Sequence, residues 1–560
     1  MKHTLKYFAI AASALFLASC QQPDYKLSEA VATKAINSIT ASFIGDTSDE
    51  NKFSSEIDYE NHVITIVFPY TYPANSKYNL EEDDLKEVKV VANLDDNCSI
   101  EPAILIMDLT KDNPITVINQ KKERTDYIVR GEIRKSAECA VTAFKLVEEQ
   151  FVGVINESAK LISIVSDVPP VSQLAEVELS FGATITSTPD PTKVACDYSK
   201  DVKFTVTAQD GKTTAEYTVK VQLPDILEKG MRPNSGKILW NTKIVDTYAP
   251  ASPLLMTSMA VINDYIVLNT RNEDMIVVSR KTGEKVGTIA LPFKGNLTNF
   301  KATGDNADNI LVTNLASDEV VVYRIKGING TPTEYIRYAA GGKSYGRGIS
   351  VIGSLDGDAI ITMPRYQDTW TFLRWTVKDG VLNPEPEVVD INCSLNAGGW
   401  VYNCDIVPTS ATDPKADYFV NSYAKLTAPD SNDRATIWVS GQTNKDICRS
   451  AFTSSNWVRN ALDYVNFNGV GFLVSNSVNS FTWGTDDMIY LYDLGDSNLD
   501  NVAWKSDAGI YGSMANITQA NGNACGDVAL RVSDNGYYMY MYFFFAGGQL
   551  VAVQFDCLDM

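Results

Sequence analysis

A chain of 560 residues with 69 acidic and 48 basic side chains carries a formal charge of −21. It is too long for one domain and too acidic to grip nucleic acid, whose phosphates need clustered Lys and Arg. Two histidines and nine cysteines with no Cys-x-x-Cys spacing leave little material for a Ser-His-Asp triad, a Cys-His pair or a structural zinc site.

The chain opens with Lys2 and Lys6, an apolar run from Phe8 to Ala18, and small residues before Cys20. This is the pattern of a secretory signal over residues 1–19, too short to span a bilayer as a mature helix. The stretch Leu17-Ala18-Ser19-Cys20 resembles the lipobox of bacterial lipoproteins. That resemblance implies cleavage before Cys20, a diacylglycerol on its sulfur and an acyl chain on the new amino terminus. The membrane is then a partner through Cys20, since each buried CH₂ contributes about 0.8 kcal/mol to anchoring. An ordinary signal peptide with an incidental cysteine is the plainer alternative. Residues 20–33 read as a polar tether. The expected location is the outer membrane, at the cell surface rather than the periplasmic face. Asp24 is the only acidic residue soon after Cys20, which makes an acidic export signal weak. With His3 lost in the signal, His62 is the one histidine left, and it falls in a strand-like segment.

Residues 34–136 and 137–222 repeat each other. Ile57–Val67 (IDYENHVITIV) aligns without gaps on Ile155–Val165 (INESAKLISIV). Leu85–Val88 then matches Leu174–Val177, and Asp126–Val129 matches Glu216–Val219, in the same order. Alternating strands flank Asp210-Gly211, a strong hairpin signal. The pattern predicts two small β-sandwich modules. The hairpin around Phe204–Gly211 and Tyr217–Val221 resembles the immunoglobulin-like repeats of surface lipoproteins of the Bacteroidales. That resemblance implies a stalk that spaces a functional domain from the membrane.

Residues 223–236 read as a linker. Over 237–560 the composition changes, and all eight tryptophans fall between Trp240 and Trp504. Six strand pairs follow, centred on Asp264–Ile289, Asn309–Ile325, Asp358–Val377, Tyr418–Val439, Gly471–Tyr492 and Tyr537–Phe555. They predict an all-β domain, a β-propeller of six blades, with five or seven open because no blade motif fixes the count. Ile238–Ile244 is expected to complete the last blade and hide its edge. A large sandwich is the competing architecture.

No motif names a reaction, so the reading assigns no catalytic residue, no metal and no cofactor. Ser533-Asp-Asn-Gly536 starts like a sialidase Asp-box but lacks its later Trp, and reads as a turn. Asp95-Asp96-Asn97 and Asp496–Asp500 lack calcium-loop spacing. Cys393 and Cys404 are the closest cysteines and the best candidate disulfide, with buried thiols as the alternative. Trp375 and Trp438 sit in apolar strands and belong to the core. Trp400, Trp457 and Trp483 are flanked by Gly, Ser, Asn or Thr, a context for rings that stack on sugars, with blade packing as the competing role. Tyr345-Gly-Arg347-Gly and Arg365-Tyr366 add donors for hydroxyls or an acidic sugar. The expected function is non-catalytic binding of an extracellular glycan by the propeller. The alternatives are an adhesion or assembly protein that binds outer-membrane partner proteins, and a glycoside-active enzyme using Asp and Glu.

Overall fold

The computed structural model describes residues 34–46, 51–73, 76–148, 150–365, 370–392, 403–422, 435–450, 457–459, 461–479, 487–512 and 525–559. These residues are almost wholly β and divide into two compact units, 1–222 and 223–560. Among them no helix is long and apolar enough to cross a membrane.

In the first unit, residues 36–134 form one eight-stranded sheet that curls around a single core. Its strand Phe53–Asp58 pairs first with Ile36–Phe43 and then with Val63–Pro69. A strand that changes partners in this way turns the corner between two layers. Residues 141–222 form a five-stranded and a two-stranded sheet around a second core.

The sequence repeat is a structural repeat. In each copy the aligned segment is a hairpin, and its turn places His62 (φ 57°) and Lys160 (φ 52°) in the left-handed region at equivalent positions. His62 is therefore an exposed turn residue beside Tyr127 rather than a strand residue. The returning strands, Val63–Pro69 and Leu161–Val165, each pair in parallel with the last strand of their copy. The aligned tyrosines Tyr127 and Tyr217 are both buried. At the Asp-Gly turn, Asp210 Oδ1 accepts from the backbone amides of Lys212 (2.7 Å) and Thr213 (2.8 Å), and Gly211 supplies φ 69°.

The second unit has six antiparallel sheets in chain order. Their first strands are Met256–Val261, Lys301–Gly304, Ser350–Gly353, Cys404–Pro408, Leu462–Phe467 and Gly526–Val532. Each expected strand pair is the second and third strand of one sheet. Many of these strands, such as Ala359–Pro364, are buried on both faces because a sheet lies on either side. The cores lie between sheets one and two, two and three, three and four, four and five, five and six, and six and one. The first strands contact one another in the same cyclic order. The sheets therefore close into a ring.

Closure joins the two ends of the unit. Lys237–Lys243 pairs with Gln549–Asp556 as the outer strand of the sixth sheet. Arg232 clamps Asp556 with two hydrogen bonds, 2.7 and 2.6 Å. A fragment from Leu223 to the C-terminus should unfold in one cooperative transition, and one starting at residue 245 should melt lower or aggregate, because the sixth sheet then has a bare edge. Equal melting curves from calorimetry would refute a closing role for Lys237–Lys243.

Candidate ligand-binding site

The six first strands surround an axis, and five of them bring polar or charged side chains to it: Lys301, Ser350, Asp405, Asp463, Asp527 and Arg531. Lys301 is buried with its Nζ 3.7 Å from Asp527 Oδ1. Asp527 also accepts from the amides of Met259 (2.9 Å) and Val528 (3.1 Å). Asp405 accepts from Ser350 Oγ and, at 3.3 Å, from the Leu462 amide. Asp463 accepts from the amides of Tyr464 and Leu530, each at 2.8 Å, and from Arg531 Nη1 at 3.1 Å. Arg531 donates its Nη2 to the carbonyls of Val261 (2.8 Å) and Gly304 (3.1 Å). Its Nε is buried without a hydrogen-bond partner. Only about 30 Å³ of space remains within this belt, so the axis is plugged.

Burial controls the protonation of the belt. It would lower Lys301, but the neighbouring Asp527 and Asp405 outweigh it and hold the ammonium above its usual value. Burial raises Asp527 and Asp463 against the pull of Lys301 and Arg531 respectively. Asp405 is pushed up to about 7 by burial, only partly opposed by Lys301.

Where the first strands finish, the axis opens into a cavity of about 460 Å³. All six sheets line it, each through the end of its first strand or the hairpin that follows. Asn263, Asn306, Thr409, Tyr464, Asn466 and Asp534 supply polar lining, and Arg531 is also part of the wall. Arg280 borders it, giving its Nε to Tyr542 Oη (3.1 Å) and its Nη1 to the carbonyls of Ile262 and Asn263. Asp305 is consumed too. Its Oδ1 accepts from the Ala307 and Asn309 amides, both 2.8 Å, and its Oδ2 from Asn309 Nδ2 and the Leu355 amide, both 2.7 Å.

Three of the residues expected from the sequence, Tyr345, Arg347 and Arg365, are not among those that line the cavity. Tyr345 is buried in the core between the second and third sheets, edge-on to Tyr338 at 6.2 Å, and burial pushes its phenol up to about 12. It is a packing wedge, not a ring facing a ligand. Its backbone bridges Arg365, which is half-buried. Arg347 is half-buried over the Phe300 ring at 5.3 Å, which Arg271 also covers at 4.8 Å, and its Nη1 reaches Asn403 Oδ1 at 3.4 Å. Tyr345 and Arg347 precede the first strand of the third sheet and Arg365 follows its second strand, at the end of the axis opposite the cavity. The glycines of Tyr345-Gly-Arg-Gly348 are steric. A Cβ on Gly346 would lie 1.8 Å from the Asn314 carbonyl oxygen, and one on Gly348 would lie 2.1 Å from that of Cys404. Trp457 lies in a short strand with Asn479 as its register partner. Cys20, Tyr366, Cys393, Trp400 and Trp483 lie outside the described residues.

Of the cavity residues, the sequence singles out only Asp534, within the turn Ser533–Gly536; Asn263 and Asn306 carry no signal there, and the first strands are too short and polar to stand out. Ser533–Gly536 is indeed a turn, at the cavity wall. Asp95–Asn97 and Asp496–Asp500 are turns as well. Among the described residues no group of three His, Cys, Asp or Glu is placed to hold a metal, and no disulfide joins two described cysteines.

A family model covers residues 246–556, more than half of the chain, and the chain belongs to that family, a domain of unknown function (DUF8500). Residues 15–131 match a second such domain (DUF5018), and residues 141–221 a third (DUF8499). No curated protein matches the chain. Among solved structures, the crystal structure of the N-terminal domain of Nup159 is similar with a TM-score of 0.29 at 10% identity, covering 59% of this chain and 98% of that one. The structure of U3-55K gives a TM-score of 0.34 at 8% identity, covering 58% and 100%. Likenesses this low carry no functional argument.

The belt makes stability depend on pH. Unfolded, Asp405 ionises near 3.8; folded, it holds its proton to about 7. Between those values the folded chain keeps a proton that the unfolded chain releases, so stability falls as pH rises from about 4 to 7. Asp405→Asn keeps an acceptor for the Leu462 amide and a donor toward Ser350. It should flatten that fall, melting above wild type at pH 8 but not at pH 5. Parallel melting-temperature profiles for the two proteins would rule the account out.

Proposed function

We propose that the protein is exported, anchored through Cys20 and non-catalytic, and that its second unit binds an extracellular glycan. In this reading the second unit is a six-bladed β-propeller, carried on two immunoglobulin-like modules formed by residues 34–136 and 137–222. The lipobox supports the anchor. Six inter-sheet cores in cyclic order support the propeller, and the shared hairpin and parallel last strand support two related modules.

One observation carries the binding assignment: the 460 Å³ dead-end cavity on the axis, built by all six sheets. Its size is that of a small-ligand site. Its wall of amides, a hydroxyl and a tyrosine suits a ligand rich in hydroxyl groups. Binding is favoured over hydrolysis because both oxygens of Asp305 are saturated by N–H donors, which leaves Asp305 unfit as an acid or base.

Two measurements test this reading. Cys20→Ser should move the protein from the membrane to the soluble fraction and remove the acyl mass. Asn466→Trp, at an exposed position on the cavity wall, should fill the cavity and abolish binding on a glycan array. Its stability should stay within about 0.5 kcal/mol of wild type, as for a surface substitution. An array on which the wild-type chain binds nothing would defeat the glycan reading.

A further inference from the structure

We infer that the end of the axis opposite the cavity holds a second site, which takes an oxyanion, a carboxylate or a sulfate, between Arg271, Arg347 and Arg365. The inference does not rest on the glycan reading of the cavity.

In a chain with 69 acidic and 48 basic side chains, cations nonetheless gather at this end. Arg271 follows the second strand of the first sheet, Arg347 precedes the first strand of the third, and Arg365 follows the second strand of the third. The guanidinium groups of Arg271 and Arg347 lie over one ring, Phe300, at 4.8 and 5.3 Å. Buried Lys301 is the next residue in the chain. All three cations act on the Cys525 thiol, which burial pushes up to about 11 while Lys301, Arg271 and Arg347 pull it back. Arg365 bridges the backbone of Tyr345, two residues before Arg347, and so belongs to the same corner.

The observation that marks a site is the missing counter-charge. Arg232, Arg374, Arg449 and Arg531 each have a carboxylate oxygen within 3.1 Å. The charge of Lys301 is answered by Asp527. Arg271 and Arg365 form no ion pair with any described residue. Arg271 gives its Nε to the Asn296 carbonyl at 2.8 Å, and its two terminal nitrogens meet no acceptor among the described residues. The terminal nitrogens of Arg365 meet none either. Its Nε is buried, so any contact to a ligand falls to those terminal nitrogens. Both residues are half-buried. The partner printed on Arg347 Nη1, Asn403 Oδ1, is neutral. Glu273, two residues beyond Arg271, is already taken: its Oε1 accepts from the Ser252 amide (2.8 Å) and its Oε2 from the Ala251 amide (3.0 Å).

Like charges partly withdrawn from water repel. Burial first, and the Arg347 charge after it, hold Arg271 below its usual value against the pull of Cys525. An oxyanion brought between these groups supplies the counter-charge, and its oxygens match the planar forks of guanidinium groups. A hydroxyl would leave the repulsion in place.

The test uses the full mature chain in chloride buffer at constant ionic strength. The probes are sulfate, acetate, N-acetylglucosamine 6-sulfate and glucuronate, with N-acetylglucosamine and glucose as neutral controls. Phenylglyoxal labels arginines, peptide mass spectrometry reads the label, and calorimetric titration gives the affinity. An acidic probe at about ten times its Kd should slow labelling of Arg271 and Arg365 about tenfold and leave the exposed Arg130 of the first unit unchanged. Arg271→Gln should weaken binding about tenfold or more, and in chloride it should melt no lower than wild type, because it removes a repelling charge. If it melts lower, its guanidinium is needed for packing on Phe300, and Arg365→Gln, which removes no hydrogen bond to a described residue, must show the loss of affinity instead. Asn466→Trp, which fills the cavity at the other end, should leave the protection intact. Tighter binding of the sulfated or carboxylated sugar than of the free ion assigns the oxyanion to a glycan; equal binding assigns it to a free anion. Protection by the neutral sugars, no protection by any acidic probe at tens of millimolar, or unchanged affinity in a folded arginine variant overturns the inference and leaves the reading of the cavity standing.

Discussion

Everything in the second unit depends on the buried polar belt that ties its six first strands together. Ionised groups removed from water are costly unless each is paired and hydrogen-bonded. Here Lys301 of the second sheet faces Asp527 of the sixth, while Asp405 of the fourth reaches Ser350 of the third and Leu462 of the fifth. Arg531 of the sixth reaches Asp463 of the fifth, Val261 of the first and Gly304 of the second. Each bond crosses from one sheet to another, so no sheet can rotate or slip without stranding a charge. Apolar packing between the sheets supplies most of the stabilisation, but it is non-directional. The belt adds register: it fixes which residue of each first strand faces which residue of the next.

The division between what was legible in the sequence and what was not follows this geometry. Second and third strands such as Asn309–Thr313 and Thr371–Lys378 are mostly buried, with a sheet on either side, and they read as apolar runs. They were therefore found. The first strands were not. Lys301-Ala-Thr-Gly304 and Cys404-Asp-Ile-Val-Pro408 carry charge at buried positions and are four and five residues long, so periodicity sees a loop. Gly304 shows why such a strand also needs a small residue: a Cβ there would lie 2.7 Å from the Val261 carbonyl oxygen. The repeat in the first unit was legible because aligned residues repeat a backbone conformation, left-handed at His62 and Lys160.

The candidate site was hardly legible, for a related reason. A wall assembled from six separate hairpins leaves no contiguous motif, and each contributor looks like an ordinary turn residue. Aromatic residues and arginines in glycine-rich context drew attention to Tyr345 and Arg347. There the glycines answer a different need, close passage of backbone past Asn314 and Cys404, and the tyrosine fills the gap between two sheets. Glycine beside an aromatic residue thus signals tight packing at least as readily as an open loop.

The plugged axis also bears on what kind of binding the ring supports. A through-channel would let solvent and ligand pass from end to end. Here the belt leaves room for about one water, so the cavity at the end where the first strands finish is closed at Arg531. That floor is rigid, because Arg531 is held by four strands at once. The walls are hairpin turns, where asparagine can be exchanged without disturbing a strand. The ring thus separates a fixed base, set by the charges that hold the sheets in register, from a rim whose chemistry is set residue by residue.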